Sequence, residues 1–287
     1  MKLDLDFELT KTDKLLRKFE DIHNFIYAND GLSTQQTLEE FIKILFVKII
    51  DEKKKEKKFY IDDGEFEKIK NSKESEKFTQ RINNLFSKTI QEYSDLFDNE
   101  DRIKLSPLAL ANTINKLQDF SLINSSNDAK GLAFQKFLSH QEKDGRGQFF
   151  TPEAIIDFCV SILQPKPNES IIDPACGSGG FLNSSLNFIL KNNKGVDIEK
   201  IISKNLYGFD INKSIARIAK MKLLLEVNVE TNIRCVNSLK DYDEVLLKVK
   251  SDNTLNGFDI VLTNPPFGLP IHHPVNIFRN KEVWLFP

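Results

Sequence analysis

The chain has 287 residues, of which 40% are hydrophobic and 29% are charged, and its formal net charge at pH 7 is -2. This length indicates two domains, and this composition excludes a disordered chain and favours a globular protein with a real core. The net charge neither supports nor excludes a nucleic-acid partner, because a neutral protein can still be basic on one face.

The cysteines and the N-terminus indicate where the protein works. Cys159, Cys176 and Cys235 lie far apart in the sequence, with no CxxC pair and no nearby histidine. This spacing predicts neither a metal site nor a disulfide framework, so we expect a reducing, cytoplasmic setting. The N-terminal segment MKLDLDFELT is too acidic for a signal peptide. The most apolar run, residues 41–50, is half a membrane span and carries two lysines, so we expect no membrane association.

The first half of the chain, residues 1–140, is predicted to be a helical domain. Thr37 with Glu40 suggests a capping box, and Ser106-Pro107 suggests the start of another helix. The charged run at residues 51–58 is interpreted as a solvated helix end or loop rather than a DNA-binding patch. One apolar stripe of a helix is formed by Leu38, Phe41, Ile42, Leu45, Phe46 and Ile49. A last helix is expected through Leu132, Phe134, Phe137 and Leu138.

The second half, residues 141–287, alternates strands with helices. Strands are predicted at residues 170–173, 206–210, 233–236 and 258–263, with an extra loop and helix at 191–205. This alternation is typical of an α/β domain with a parallel, doubly wound sheet. Ligands bind such sheets outside the carboxyl ends of the strands, where the polar motifs of this chain fall.

The segment DPACGSGGFL, which begins at Asp173, has the pattern of a strand end, a glycine-rich turn and a helix start. Gly177 and Gly179 let backbone approach a ligand closely, and the following helix N-terminus offers free N–H groups to an anion. No Gly-Lys-Ser/Thr follows, so the turn is not a P-loop. Asp210 ends the second strand, where a carboxylate can bind both hydroxyls of a ribose. A helix cap is the alternative interpretation of Asp210.

Two further motifs are GQFFTP and NPPF. In GQFFTP, Thr151 is predicted to be the N-cap and Pro152 the first residue of a helix over residues 153–163. In NPPF, Asn264 and the rigid backbone at Pro265-Pro266 offer two carbonyl acceptors to an exocyclic amine. Phe267 offers a face on which a flipped base can stack. A plain strand-to-loop exit is the alternative interpretation of this motif.

These motifs, in this order, resemble those of the amino-group DNA methyltransferases that use S-adenosylmethionine. The resemblance is most specific to the modification subunit of type I restriction-modification systems, and its strong part is residues 145–268. It implies a Rossmann-like S-adenosylmethionine-dependent core with strand order 3-2-1-4 and methylation of adenine N6 in double-stranded DNA. It also implies a specificity subunit as a partner and leaves a restriction subunit open as a further one.

The same resemblance assigns roles to individual positions. Asn264, Pro265, Pro266 and Phe267 take the catalytic positions. The cofactor positions are Phe149, Thr151, Asp173, Pro174, Ala175, Gly177, Gly179, Asp210, Ile211, Asn237 and Ser238. At Asn237 the family usually has an aspartate, whose hydrogen bond an amide oxygen can still accept.

Two alternatives remain open. Protein-glutamine methyltransferases share an Asn-Pro-Pro-aromatic site, although they lack GQFFTP. The chain also ends soon after NPPF, where the family continues, so a catalytically inactive fragment that binds cofactor or a partner subunit is the second alternative. On this interpretation the fourth strand is an open edge, and we expect the chain alone not to methylate DNA at a useful rate.

Overall fold

The structure is a computed structural model that describes residues 2–72, 74–125, 127–144, 151–239 and 257–266. The chain divides into two compact units. The helical unit comprises Met1–Phe149 and Lys220–Asn228, and the sheet unit comprises Phe150–Ala219 and Val229–Pro287. None of the helices in the described ranges has both the length and the apolar composition of a membrane span.

The described part of the helical unit contains no strand, as the sequence predicts. Its helices are α1 (Lys2–Asp30), α2 (Thr34–Lys54), α3 (Asp63–Ser72), α4 (Glu76–Glu92), α5 (Pro107–Leu117) and α6 (Asn127–Asp144). Helix α5 begins as predicted, because Pro107 is its first residue and the Ser106 hydroxyl accepts a hydrogen bond from the Ala109 N–H.

Helix α2 is the core of this unit. The predicted stripe lies on this helix and is buried from Phe41 to Ile49, and the other residues between Phe41 and Ile50 are buried as well, which the stripe did not predict. The two lysines in the run are tolerated because each is paired. The Lys43 ammonium lies 2.6 Å from the Glu40 carboxylate, and the Lys48 ammonium lies 3.0 Å from that of Glu52.

The two ends of α2 test the predicted capping box and the interpretation of the charged run. Its capping box is formed by Ser33 and Gln36, so the predicted pairing of Thr37 with Glu40 is wrong. Both of those residues lie inside the helix, where the Glu40 carboxylate accepts from the Lys104 N–H at 2.7 Å. The helix ends at Lys54, which pairs with an acidic side chain of α4. The charged run is therefore a helix end and the loop after it, as predicted.

The sheet unit is an α/β layer structure. Its elements are α7 (Glu153–Leu163), β1 (Ile171–Asp173), α8 (Gly180–Asn192), α9 (Ile198–Asn205), β2 (Leu206–Asp210), α10 (Lys213–Val227, of which the sheet unit holds the part up to Ala219), β3 (Asn232–Cys235) and β4 (Ile260–Val261). The strands are parallel in the order β3-β2-β1-β4, which confirms the predicted topology. Helix α9 is the predicted insertion before β2.

Apolar side chains cover both faces of this sheet. One cluster contains Ile172, Tyr207, Phe209 and Val236, and the other contains Ile156, Val160, Phe181 and Leu262. Gly208 allows Ile233 of β3 and Leu182 of α8 to pack closely on β2, since a Cβ there would lie 2.5 Å from Ile233 Cδ1 and 2.6 Å from Leu182 Cδ1. The second cluster joins α7 to the end of β4.

Strand β4 differs from its prediction. Only Ile260 and Val261 pair in register with β1, and the Val261 side chain is 60% exposed. The prediction of a buried strand over residues 258–263 was therefore wrong in length and in burial. The reason is that the partner β1 has only three residues, which limits the ladder that β4 can form.

Candidate functional site at the carboxyl ends of the strands

The four parallel strands end at the same edge of the sheet, and a polar residue follows or closes each of them. Asp173 closes β1, Asp210 closes β2, Asn237 follows β3 and Asn264 follows β4. The structure therefore brings these sequence-predicted positions to one edge, where open α/β sheets bind their ligands. All four belong to the sheet unit.

The glycine-rich turn after β1 leaves open space beside its backbone. Gly177 and Gly179 have φ angles of 54° and 81°, in the left-handed region that favours glycine. A Cβ built on Gly177 would meet no atom within 4 Å, so the space next to this residue is unfilled. Pro174 and Ala175 are half-buried beside it. The turn thus leaves room for a ligand to lie against its backbone.

Three backbone N–H groups of the turn itself are already hydrogen-bonded within the protein, whereas no side chain caps the following helix α8. The Ala175 N–H donates to Asp173 Oδ1 at 3.1 Å, and the Cys176 N–H donates to the Phe209 carbonyl at 2.8 Å. The Gly177 N–H donates to Asp210 Oδ2 at 3.1 Å. Because these three donors are used inside the protein, an anion would have to bind at the N-terminus of α8 rather than at the turn. With two carboxylates next to it, the site fits a ligand that carries positive charge.

Asp210 is held by two backbone groups. Its Oδ2 accepts from Gly177, and its Oδ1 accepts from the Asn212 N–H at 2.8 Å. Each carboxylate oxygen keeps a second lone pair, which a ribose hydroxyl can use. The helix cap of α10 is Asn212, whose Oδ1 accepts from the Ser214 N–H at 3.0 Å. Our sequence interpretation missed Asn212, although an asparagine two residues before a serine at a helix start is a recognisable capping signal.

Ile211, next to Asp210, is an exposed aliphatic side chain. It is 69% exposed, and it stands directly after the buried strand β2. An exposed isoleucine alone is ordinary on a protein surface. Its place beside a carboxylate that can bind a ribose makes it suitable to pack on a planar ring attached to that sugar.

The loop after β3 is tied to the glycine turn. The Ser238 hydroxyl donates to the Pro174 carbonyl at 2.6 Å, so this hydroxyl supports the turn. Asn237 is half-buried, and its Oδ1 accepts from the Leu239 N–H at 3.1 Å. That bond leaves the Asn237 amide N–H₂ as the group with donors to offer. The Asn237 oxygen keeps a second lone pair, so this side chain can accept from a ligand as well as donate to one.

The segments before α7 and after β4 meet through Thr151 and Asn264. The Asn264 Nδ2 donates to Thr151 Oγ1 at 3.0 Å. The prediction that Thr151 caps α7 is wrong, because Pro152 is the N-cap residue and no side chain caps this helix. Pro152 cannot be the first helical residue either, since α7 begins at Glu153. Pro265 and Pro266 follow Asn264 and are exposed.

Two predicted site residues lie outside the described residues. They are Phe149 of the GQFFTP motif and Phe267 of the NPPF motif. Their assigned roles stay predictions. In the described ranges no group of three or more histidine, cysteine or acidic side chains is placed to hold a metal ion, and none of the three cysteines forms a disulfide bond.

Burial shifts the acid–base behaviour of the site. The pKa of Asp173, which is 1% exposed, is raised to about 7, chiefly by burial and further by the charge of Asp210. Burial also raises the pKa of Asp210, although the N–H groups of Asn212 and Gly177 oppose that change. The pKa of the Cys176 thiol is raised by its burial and by the two nearby carboxylates, so it stays protonated. A cation bound beside the buried Asp173 and the half-buried Asp210 would therefore stabilise their ionised forms.

Comparison with known proteins identifies the family of the chain. The sequence profile described as N-6 DNA Methylase matches residues 125–283. The methylase subunit of the type I restriction enzyme EcoEI from Escherichia coli is 32% identical over 170 residues, which are 55% of this chain and 32% of that protein. The methylase subunit of StySPI from Salmonella potsdam is 26% identical over 264 residues, which are 83% of this chain and 47% of that protein.

A solved structure supports the same fold. The methyltransferase subunit of the type I restriction-modification system from Streptococcus thermophilus matches with a TM-score of 0.54 at 15% identity, over 89% of this chain and 63% of that one. The chain thus has the Rossmann-like fold of a methyltransferase core. It spans 32% and 47% of the lengths of the two curated relatives named above. Because the family profile matches more than half of its residues, the chain belongs to the N-6 DNA methylase family.

Proposed function

We propose that this chain transfers a methyl group from S-adenosylmethionine to N6 of adenine in double-stranded DNA. The observation that carries this proposal is the Asn264 amide, which is held by Thr151 at the same sheet edge as the Asp210–Gly177 pair. Family membership and the type I methylase relatives support it. We further propose that the protein works in the cytoplasm, as the modification subunit of a type I restriction-modification system.

The glycine turn and the β2 end fit S-adenosylmethionine. When bound, this cofactor supplies an electrophilic methyl group on a cationic sulfonium. The ammonium group of its methionine end suits the acceptor-rich edge near Asp173, and the open space at Gly177 leaves room for the cofactor. Asp210 binds the ribose hydroxyls, and Ile211 packs on the adenine ring. The Asn237 amide oxygen accepts from the amine of that adenine.

Asn264 and the Pro265 carbonyl bind the target. Together they accept both N–H bonds of the exocyclic amine, so the nitrogen lone pair points out of the base plane. This chemistry requires no strong base in the site, because the amine gives its proton to water once it carries the methyl group. Positioning supplies most of the rate, and the adenine must leave the duplex at a cost of a few kcal/mol. Phe267 is proposed to stack on the flipped base.

The partners belong to the same proposal. Double-stranded DNA is the substrate, and a specificity subunit selects the sequence to be methylated. The helical residues 1–140 are proposed to be a separate domain from the methyltransferase residues 141–287. A restriction subunit of the same system remains a further candidate partner.

A methyl-transfer assay tests the proposal. Tritiated S-adenosylmethionine and mixed-sequence duplex DNA are incubated with the chain, alone and with a type I specificity subunit, and the nucleosides are identified by mass spectrometry. We expect N6-methyladenine with the specificity subunit present, and its loss in Asn264→Ala. Methyl transfer to cytosine or to protein glutamine, or no transfer in either arm, contradicts the proposal.

A further inference from the structure

We propose that Thr151 is a positioning residue that orients the Asn264 amide, so that Asn264 presents its oxygen to the target amine. This inference rests on the proposed function, and it gives the Thr151 hydroxyl oxygen a role on the target side of the site. The two residues are separated by 113 positions in the sequence.

The first observation is the direction of the hydrogen bond. The Nδ2 of Asn264 donates to the Thr151 Oγ1 at 3.0 Å. An amide whose nitrogen is fixed in this way keeps its oxygen for another partner. Among the described residues, no other hydrogen bond to the Asn264 amide occurs. Without the threonine, the amide could rotate and present its N–H₂ group, which repels the N–H bonds of an amine.

The second observation is that the Thr151 hydroxyl makes no other hydrogen bond among the described residues. A threonine two residues before a helix is usually explained as its cap. Here the cap position of α7 belongs to Pro152, whose carbonyl accepts from the N–H groups of Ile155 and Ile156 at 2.9 and 3.1 Å. The hydroxyl of Thr151 is thereby left for Asn264.

The third observation is that the backbone on both sides of the hydrogen bond is fixed. Ile156 of α7 and Leu262 after β4 are both buried in one apolar cluster, which holds the two segments together. The Leu262 N–H also donates to the Ile172 carbonyl at 3.0 Å. Pro265 and Pro266 restrict the chain directly after Asn264. Rotation of the Asn264 side-chain amide is therefore the motion that remains for Thr151 to restrict.

The test compares Thr151→Val, which removes the hydroxyl at nearly constant shape, with Thr151→Ser, which keeps it. The first readout needs no activity. The side-chain amide signals of Asn264 are followed by NMR in asparagine-labelled protein and assigned by their loss in Asn264→Asp. We expect these signals to shift and to exchange faster with water in Thr151→Val, and to return towards the wild type in Thr151→Ser.

The second readout is methyl transfer in the assembly with the specificity subunit. We expect the single-turnover rate to fall about tenfold in Thr151→Val, the effect of one lost hydrogen bond, and to recover in Thr151→Ser. The affinity for S-adenosylmethionine should not change. Ser184→Ala is the control, because it removes a 2.7 Å bond to Asp157 that joins α7 to α8 without touching Asn264.

The outcomes separate this inference from the proposed function. An unchanged Asn264 amide in Thr151→Val overturns the inference, and so does a tenfold loss of cofactor affinity with a normal transfer rate. The same amide change in Ser184→Ala also overturns it, because the effect would then come from α7 packing. Absence of adenine methylation by the wild type contradicts the proposed function instead, and the NMR comparison still decides the Thr151–Asn264 contact.

Discussion

The carboxylate of Asp210 accepts a hydrogen bond from the Gly177 N–H, with 3.1 Å between Oδ2 and the nitrogen. This bond joins the end of β2 to the glycine turn after β1. It fixes the carboxylate beside the open space at Gly177, where no atom lies within 4 Å of a built Cβ. The Asp210 carboxylate and the glycine turn are therefore parts of one preorganised site rather than two neighbouring motifs.

The first prediction concerns this carboxylate. We expect Asp210→Ala to weaken S-adenosylmethionine binding by roughly 1–3 kcal/mol, the scale of hydrogen bonds to a charged group. Isothermal titration calorimetry on the purified chain measures the change. Asp197→Ala is the control, since Asp197 is an acidic side chain of the same unit that caps α9 through the Lys200 N–H. Equal affinity in Asp210→Ala would remove this residue from the site.

The second prediction concerns Asn264. We expect Asn264→Ala to lower methyl transfer by about 100-fold or more, because a loosely held amine loses the alignment on which the reaction depends. Cofactor affinity should stay within about twofold of the wild type, because Asn264 contacts Thr151 and not the Asp210 carboxylate. The assay is transfer of a tritiated methyl group to duplex DNA in the presence of the specificity subunit.

A matched asparagine variant controls the second prediction. Asn192→Ala removes an exposed amide near the end of α8 that donates to the Phe188 carbonyl at 2.8 Å. It should transfer methyl groups as the wild type does. Normal transfer by Asn264→Ala would show that the amine is bound elsewhere.

The sequence predicted those parts of the fold that depend on local pattern. Strand β2 lies at residues 206–210 as predicted, because an unbroken buried run ends there in Asp210, ahead of a helix. The length of β4 could not be predicted, since it depends on the short partner β1 rather than on its own residues. The burial of α2 on all sides likewise depends on the packing of other helices around it.

In the candidate site, too, the sequence predicted the features that depend on local pattern and missed those that depend on distant partners. The glycines at 177 and 179 and the acidic end of β2 are visible in the sequence, because each is a local signal at a strand end. The partner of Thr151 is 113 residues away, so the local helix-start pattern gave the wrong role for its hydroxyl. The internal pairing of the turn N–H groups also needed the structure, since the acceptors for two of them lie at Phe209 and Asp210.

The third prediction concerns packing beneath the site. We expect Gly208→Ala to destabilise the sheet unit by about 1–3 kcal/mol, because its Cβ would displace the Ile233 and Leu182 methyl groups in a filled core. Gly180→Ala should cost less, since its Cβ meets only the flexible Ile156 Cδ1, at 2.7 Å. Unfolding in urea, followed by circular dichroism, compares the two variants. A larger loss in Gly180→Ala contradicts this account of the core.

The fourth prediction is a pH dependence set by Asp173. Its folded-state pKa of about 7 exceeds the ordinary value of 3.8, so the folded protein holds this proton more tightly than the unfolded chain does. The resulting stabilisation is fully present below pH 3.8 and is lost as the pH rises through 7. Between pH 5 and pH 8 the loss is on the order of 2 kcal/mol.

The neutral variant Asp173→Asn removes this titration. Without cofactor, we expect its stability to exceed that of the wild type at pH 8 by more than it does at pH 5. The control is Asp259→Asn, because two hydrogen bonds from Ser170 lower the pKa of Asp259. The stabilisation from a lowered pKa is present above 3.8 and is lost only in more acidic solution, so this variant should show no such change between pH 5 and pH 8. Urea unfolding at both pH values measures the free energy of unfolding of each variant relative to the wild type. If the difference between Asp173→Asn and the wild type is the same at pH 5 and pH 8, the assignment of this proton to Asp173 is contradicted.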